Sequence, residues 1–242
     1  MTEQIPNPNT GMSEEEQELL KAAAGISAED RGEFLKAMTE HACASLKEKY
    51  GKDFGVFLTG DMIPTGVLKL YMYPEDEPTL AFTATAAMDG TIRDDYSLRR
   101  CLHSLECSLR TAFEEAGVAC CANAVLPVSG LAEDRADTLE DYLRAYGQDR
   151  VLCRLIFPED TDAKAVIPAL EGACRALLFA VAVNGFILPE EGYVKCSDNF
   201  ARYPSCTEAL ISRFAPLCTF STVVRAGRSS LSADELAHRR EG

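Results

Sequence analysis

Residues 67–87 read VLKLYMYPEDEPTLAFTATAA, and this stretch decides the fold class. Two runs rich in strand-forming residues, Val67 to Tyr73 and Thr79 to Ala87, flank a short connection of proline and acidic residues. In the second run threonines alternate with apolar side chains, which are Leu80, Phe82, Ala84 and Ala86. A two-residue period is typical of a strand with one buried face, and short connections favour antiparallel pairing. We predict an antiparallel meander whose first strand is Phe54 to Leu58.

A helix is predicted on each side of this meander. Before it, Ser27 is placed to cap a helix that ends at Gly51. The apolar residues of that helix recur at three- and four-residue steps and are Phe34, Leu35, Met38, Ala42 and Leu46. After the meander, a helix runs from about Leu98 to Ala116 and is closed by Gly117. Its apolar stripe comprises Leu98, Cys101, Leu102, Leu105, Leu109, Ala112, Phe113 and Ala116.

The second half of the chain alternates strands and helices less regularly. The predicted strands are Val118 to Leu126, Arg150 to Phe157, Phe186 to Leu188 and Cys218 to Arg225. The predicted helices lie around Leu139 to Tyr146, from Thr161 to about Asn184, and near Glu208 to Phe214. This half therefore also mixes both kinds of element.

The predicted fold class is α+β, with antiparallel sheets covered by helices. Residues 1–12 are expected to form a flexible lead, and a short helix is expected at about 14–24. A first subdomain, helix-helix-meander-helix, spans 13–117, and a second α+β subdomain spans 118–228. Residues 229–242 are expected to form a frayed tail. The two subdomains either share one core or keep separate cores.

The charge of the chain argues against two classes of partner. It has 38 acidic and 24 basic residues, which gives a formal net charge of -14 at pH 7. Such a charge repels nucleic-acid phosphates and anionic lipid. The longest apolar stretch, Ala176 to Leu188, is shorter than the roughly 20 residues that a membrane helix needs. We therefore expect neither nucleic acid nor a membrane as a partner.

The compartment is predicted from the first residues and from the cysteines. Met1 is followed by Thr2, Glu3, Gln4, Ile5 and Pro6, with no basic segment and no apolar run that would serve as an export signal. The chain nevertheless holds ten cysteines, which in a reducing compartment act as small core residues rather than as disulfides. We expect a cytoplasmic protein.

Most cysteines have a packing explanation, but Cys107 does not. Core positions are predicted for Cys101, one of Cys120 and Cys121, Cys153, Cys174 and Cys218. At about 100° per residue, Cys107 falls on the polar face of its helix, and His103 lies one turn earlier on that face. A histidine beside a thiol favours the thiolate, or the pair forms half of a metal site. The alternative is a cysteine that is exposed or covered by an interface, beside a solvated histidine.

Three short segments and one phenylalanine resemble a group of known proteins. They are Tyr50-Gly51-Lys52-Asp53-Phe54, Tyr73-Pro74-Glu75-Asp76-Glu77-Pro78, Phe82, and Asp94-Asp95-Tyr96. Together they resemble uncharacterised α+β proteins of Gram-positive bacteria, over about residues 46–116. The resemblance implies an α+β fold in a bacterial protein and brings no activity, cofactor or site residue with it.

The function expected from the sequence is binding rather than catalysis. No glycine-rich phosphate loop and no Gly-x-Ser-x-Gly elbow occurs, and no cofactor or metal is expected. We expect a non-catalytic accessory factor that binds a protein or peptide through a sheet face or an exposed sheet edge. The alternative is a thiol-based enzyme or a redox or metal sensor that uses Cys107 with His103. Whether the protein is an enzyme and how many copies assemble stay open.

Overall fold

The computed structural model describes residues 28–60, 66–127, 137–202 and 208–241, and over these residues the chain is an α+β protein, as predicted. Its helices are α1 (Ala28–Tyr50), α2 (Tyr96–Glu115), α3 (Leu139–Ala145), α4 (Ala163–Ala173), α5 (Glu190–Arg202), α6 (Glu208–Ser212) and α7 (Ala233–Glu241). Its strands are β1 (Phe54–Thr59), β2 (Val67–Pro74), β3 (Phe82–Ala87), β4 (Ile92–Asp94), β5 (Cys121–Val125), β6 (Arg150–Pro158), β7 (Ala180–Leu188), β8 (Cys218–Arg225) and β9 (Arg228–Ser229). The expected flexible lead and the helix at about 14–24 lie outside the described residues.

The first of two compact units takes the described residues up to Glu75 together with Thr83–Arg93. Its strands follow the order β1-β2-β3-β4, so the predicted order of the meander is confirmed. The strands β1 and β2 pair antiparallel. Alternate side chains of β2 are buried, namely Leu68, Leu70, Met72 and Pro74, and α1 contributes Met38, Ala42 and Leu46 to the buried set. The apolar periodicity of the sequence therefore identified this core.

The strand β3 is shorter than predicted. It begins at Phe82 rather than at Thr79. The amide of Leu80 donates to the carbonyl of Glu77, and the amide of Ala81 donates to that of Thr79. These backbone groups are used in a turn, so the segment before Phe82 does not extend the sheet.

The second unit comprises Asp76–Phe82 and the described residues from Asp94 onward. Its sheet has the order β5-β6-β7-β8-β9. The pairs β5/β6, β7/β8 and β8/β9 are antiparallel, but β6 and β7 run parallel over their whole length. This differs from the antiparallel sheets expected, because α4 provides the crossover that a parallel pair requires.

The helix predicted from Thr161 to about Asn184 divides into two elements. The helix α4 ends at Ala173, and Ala180–Leu188 forms β7. The strand β7 lies between two other strands, and most of its side chains are buried. Strands buried on both faces read as continuous apolar runs, and such a run is difficult to distinguish from a buried helix by periodicity.

The helix α2 belongs to the second unit, whereas the predicted boundary at 117/118 placed it in the first. Its apolar stripe packs in the core of the second unit with residues of β5 to β8, and consists of Leu98, Leu102, Leu105, Leu109 and Phe113. The helix ends as predicted near Gly117, which adopts a φ of 73°. The amide of Val118 then donates to the carbonyl of Phe113 at 2.9 Å, which closes the helix end and leads the chain into β5.

The end of the chain is ordered into a helix rather than a frayed tail. Ser232 and Glu235 form a reciprocal capping box at the start of α7, with the Ser232 amide 2.8 Å from the Glu235 carboxylate. Leu231 and Leu236 are buried in the core of the second unit. Burial of these two leucines explains why the tail does not fray.

Candidate functional site

Two parallel stripes run along α2. Each apolar residue of one stripe is followed directly by a polar residue. The apolar residues are Leu98, Leu102, Leu105 and Leu109, and the polar residues are Arg99, His103, Glu106 and Arg110. Positions with this spacing share one side of a helix, so the four polar side chains form a row. The first three are buried, with exposed fractions of 7%, 7% and 6%. Charged side chains at this depth need partners.

Arg99 is held by backbone carbonyls and by one carboxylate. Its Nε donates to the carbonyl of Ala81 at 3.2 Å, and its Nη1 donates to the carbonyl of Ala124 at 2.8 Å. Its Nη2 lies 3.2 Å from Oε1 of Glu106. Within the second unit, the guanidinium thus fixes α2 to Ala81 and to β5 and places a positive charge beside Glu106.

Glu106 is the centre of the row. Its Oε1 accepts from the amide of Ala124 at 2.7 Å, and its Oε2 lies 3.1 Å from Nδ1 of His103. Burial by itself raises the pKa of this carboxyl, but Arg99, the His103 hydrogen bond and the Ala124 amide together hold the pKa below its ordinary value of 4.5. Glu106 is therefore an anion at neutral pH.

His103 is oriented by Glu106 toward Cys107. An ionised carboxylate can only accept hydrogen bonds, so Nδ1 of His103 carries the proton that faces Glu106. In the neutral ring, Nε2 is then an acceptor, and it lies 3.6 Å from Sγ of Cys107. The same Nε2 lies 3.5 Å from Oε1 of Glu77, a half-exposed carboxylate. If His103 takes the thiol proton, Glu77 and Glu106 both neutralise the imidazolium.

Cys107 has a cation on its other side. Nη2 of Arg110 donates to Sγ of Cys107 at 3.1 Å. Burial by itself lowers the pKa of Arg110, but the hydrogen bond and the charge of Cys107, with Glu106 and Cys121, raise it. The arginine therefore stays cationic beside the sulfur. On α2, hydrogen-bond contacts therefore connect the Glu106 carboxylate to the His103 ring, the ring to the Cys107 thiol, and the thiol to the Arg110 guanidinium.

The structure brings the two predicted residues together, but it places them differently. His103 is buried rather than solvated, and Cys107 is half-buried. Sequence reasoning did not identify Glu106, Arg110 or Glu77 as neighbours of the pair. The signal for the first two was present, because they continue the spacing of Arg99 and His103 along the helix. Glu77 lies in a turn distant in the sequence and carries no such signal.

The other cysteines of the described residues serve mainly in packing. As predicted, Cys153, Cys174 and Cys218 are buried, and Cys196 is buried as well. Burial raises the pKa of Cys174 to about 12, and it raises that of Cys153 well above the ordinary value. Cys101, Cys120 and Cys121 are half-buried. Thiols with raised pKa values are poor nucleophiles at neutral pH.

A groove lies on another side of α2. It has a volume of about 460 Å³, and its lining includes Arg100, Ser104 and Ser108 of α2 and Leu177 and Phe179 further along the chain. Neither His103 nor Cys107 lines it. Within the described ranges, no group of three or more His, Cys, Asp or Glu side chains is arranged to hold a metal ion.

The first unit presents an aromatic surface on the outer face of β1 and β2. The Phe57 ring lies 6.1 Å from that of Tyr71 and 6.3 Å from that of Tyr73. Tyr73 lies across Gly55, where an added Cβ would come within 2.5 Å of the tyrosine ring. The exposed fractions of Phe57 and Leu58 are 36% and 42%. We call these four side chains, Phe57, Leu58, Tyr71 and Tyr73, the aromatic face.

A β-bulge produces this arrangement. In the β1/β2 register, Val56 is opposite Met72 and Leu58 is opposite Tyr71, so Phe57 is the extra residue. The bulge places Phe57 and Leu58 together beside the tyrosines of β2. Without it, strand alternation would direct one of the two to the opposite side of the sheet.

The fold and these two sites define an α+β protein with a buried polar row on one helix and an aromatic sheet face. No protein-family model matches the sequence, and no curated protein matches it. Over the described residues, none of the helices combines the length and apolar character needed to cross a bilayer.

A solved structure shares this fold. It is a DUF5037 family protein from Ruminococcus gnavus ATCC 29149, 13% identical in sequence, with a TM-score of 0.67. The match covers 84% of this chain and 98% of that chain. At this identity the likeness shows the fold alone. It agrees with the resemblance to α+β proteins of Gram-positive bacteria and extends well beyond residues 46–116.

Proposed function

We propose that the protein is a non-catalytic cytoplasmic accessory factor that binds a protein or peptide segment on the aromatic face. The observation that carries this proposal is the solvent exposure of Phe57 and Leu58 beside two tyrosines. Aromatic side chains dominate the energetics of protein interfaces. A cluster of them on one sheet face is therefore a suitable anchor for a partner.

The face is a better binding surface than the free edge of β1. In the described part of the chain, β1 pairs with β2 alone, which leaves its other edge open. However, the bulge at Phe57 interrupts the regular ladder of backbone groups that an added strand would need. Side-chain contacts on the aromatic face avoid this irregularity.

The expected partner segment is basic and carries apolar anchors. The chain has a net charge of -14, which attracts cationic segments at long range. Tyrosine and phenylalanine rings also attract cations, and Nζ of Lys69 already lies 4.9 Å from the centre of the Tyr71 ring. A segment with arginine or lysine next to a leucine or aromatic residue matches both properties.

A random-peptide display library tests this proposal. Peptides selected on the full chain are titrated against the wild type, Phe57→Ser and Leu178→Ser, and affinity is measured by fluorescence anisotropy. Leu178 is 88% exposed in the second unit and serves as the matched apolar control. If Phe57 is an anchor, its loss weakens binding about 30-fold, which corresponds to about 2 kcal/mol. Leu178→Ser leaves the affinity unchanged.

Two results would contradict the binding proposal. One is the absence of any enriched peptide sequence under conditions in which a control binder is enriched. The other is an affinity that Phe57→Ser leaves unaltered. Gly55→Val gives an independent check, because its side chain must displace the Tyr73 ring and should weaken the same peptides.

Thiol chemistry at Cys107 is the second candidate function. It is favoured by the connected chain from Glu106 through His103 to Cys107, with distances of 3.1 Å and 3.6 Å. A carboxylate that orients a histidine, which in turn faces a thiol, is the arrangement that activates cysteine nucleophiles. On this interpretation the protein is a thiol-based enzyme or sensor.

Alkylation with iodoacetamide, quantified for each cysteine by mass spectrometry, tests this second candidate. Cys43 is the matched control, because it is also half-buried and, within the described residues, its sulfur has no hydrogen bond to a histidine or an arginine; burial and Glu75 raise the pKa of its thiol. Cys107 should react faster than Cys43, and His103→Gln should remove the difference in a variant that retains its circular dichroism spectrum. Equal rates for the two thiols in the wild type would eliminate the thiol function.

A further inference from the structure

Resting on the thiol function just described, we propose that Cys107 is a site of oxidation by hydroperoxides. The product is a sulfenic acid, His103 transfers the proton, and Arg110 stabilises the anionic sulfur. The side chains that carry this inference are all in the second unit, on α2 and in the turn before β3.

The geometry supplies each function that peroxide reduction requires. Nε2 of His103 lies 3.6 Å from Sγ of Cys107, within reach of the thiol proton. Nη2 of Arg110 lies 3.1 Å from the same sulfur and stabilises negative charge on it. Glu106 and Glu77 flank the histidine at 3.1 Å and 3.5 Å and stabilise its protonated form. Once the proton has moved from Cys107 to His103, the thiolate faces the Arg110 guanidinium and the imidazolium faces two carboxylates.

The reaction balances with one hydroperoxide. The Cys107 proton moves to His103, and the thiolate attacks one oxygen of the peroxide. A sulfur–oxygen bond forms while the oxygen–oxygen bond breaks, so the sulfur is oxidised by two electrons and the peroxide is reduced. The leaving oxygen takes the proton from His103. The sum is Cys-SH and ROOH giving Cys-SOH and ROH, with the histidine restored.

The position of Cys107 favours a small oxidant. The thiol is half-buried, and the groove of about 460 Å³ on α2 is lined by other residues. Hydrogen peroxide or a short alkyl hydroperoxide needs access to the sulfur atom alone, which fits a half-buried thiol.

The sulfenic acid is the expected product rather than a disulfide. Cys121 is a second thiol that interacts electrostatically with Arg110. Burial raises the pKa of Cys121, and its Sγ lies 3.8 Å from the Tyr193 hydroxyl. A thiol kept protonated attacks a sulfenic acid slowly. An external thiol reverses the oxidation by forming a mixed disulfide with the release of water, and a second thiol then frees Cys107.

The experiment exposes the full chain to hydrogen peroxide in the presence of dimedone, which traps sulfenic acids, and quantifies each cysteine by mass spectrometry. The adduct at Cys107 should form about tenfold faster than that at Cys43. Arg110→Gln should slow it about tenfold, the factor that corresponds to about 1.4 kcal/mol of lost stabilisation. Arg110→Lys keeps the charge and should retain most of the rate.

The iodoacetamide and dimedone results separate the two proposals. Fast alkylation of Cys107 with a dimedone rate no greater than that of Cys43 overturns peroxide oxidation and leaves the thiol function in place. Slow alkylation together with slow trapping overturns both. A dimedone rate in folded Arg110→Gln equal to that of the wild type overturns the assignment of Arg110.

Discussion

Replacing Glu106 with alanine tests the buried polar row directly. The substitution removes the acceptor of the Ala124 amide at 2.7 Å and the partner of the Arg99 guanidinium at 3.2 Å. Arg99 retains its two carbonyl partners, but its charge is then buried without a counter-ion. We expect the second unit to lose a large part of its stability.

The magnitude follows from these contacts. Removing one partner of a buried ion pair costs about 3–5 kcal/mol, because the remaining charge is uncompensated. Domains of ordinary size have unfolding free energies of about 5–15 kcal/mol, so the loss is a major fraction of the total. Glu106→Gln keeps an acceptor for the Ala124 amide, removes the charge, and replaces the oxygen that faces His103 with an amide donor. Its loss should therefore be smaller than that of Glu106→Ala.

Urea unfolding at several pH values provides the assay. The folded state holds the pKa of Glu106 below 4.5, so the unfolded state binds this proton first as the pH falls. The stabilisation by the ionised carboxylate is complete above the unfolded pKa and is lost as the pH falls through the lower, folded pKa. The wild type should lose stability in that acidic range, and Glu106→Gln should lose less.

Glu114→Ala is the matched control, because Glu114 is an exposed carboxylate near the end of the same helix. It should change the unfolding free energy by less than about 0.5 kcal/mol. A loss below about 1 kcal/mol in Glu106→Ala would refute the reasoning, since it would mean that Arg99 is stable without its counter-ion. Hydrogen exchange at the Ala124 amide then shows whether water has taken the place of the carboxylate.

Two further substitutions test the packing of the second unit. Gly185→Ala places a Cβ 2.1 Å from the buried Phe220 ring and should lower the free energy of unfolding in urea by about 1–3 kcal/mol. The control, Gly172→Ala, lies on a helix with open space around it and should raise that free energy by about 0.5–1 kcal/mol. Equal effects of the two substitutions would contradict the position of the Phe220 ring across Gly185. Leu236→Ala should cost about 2–5 kcal/mol and lower the thermal midpoint, because Leu236 is fully buried; a loss no larger than that of the exposed control Leu178→Ala would show that the C-terminal segment is frayed after all.

The first part of the candidate site was visible in the sequence because it is local. His103 and Cys107 lie one helical turn apart, and helix geometry alone brings them together. The depth of the site was not visible, since a polar stripe on a helix is ordinarily solvated. Burial of Arg99 and Glu106 depends on Ala81 and Ala124, which lie on other elements, and no local pattern indicates that pairing.

Local patterns in the sequence also predicted part of the fold, whereas features set by long-range packing were missed. Alternation and short turns identified the strand order of the first unit, since neighbouring strands are joined by short connections. The parallel pair of β6 and β7 was missed because residues 176–188 form one apolar run, which fits a helix as well as a strand. Assigning α2 to the second unit required knowledge of its long-range packing, which adjacency in the sequence does not provide.

The two adjacent stripes of α2 restrict how the chain can vary in length. One inserted residue turns everything beyond it by about 100° around the helix axis. An insertion between His103 and Cys107 would therefore move apolar side chains out of the core and separate the histidine from the cysteine in the same step. Among evolutionary relatives of this chain, insertions and deletions should accumulate in the connections and be absent from this helix, even where its individual side chains differ.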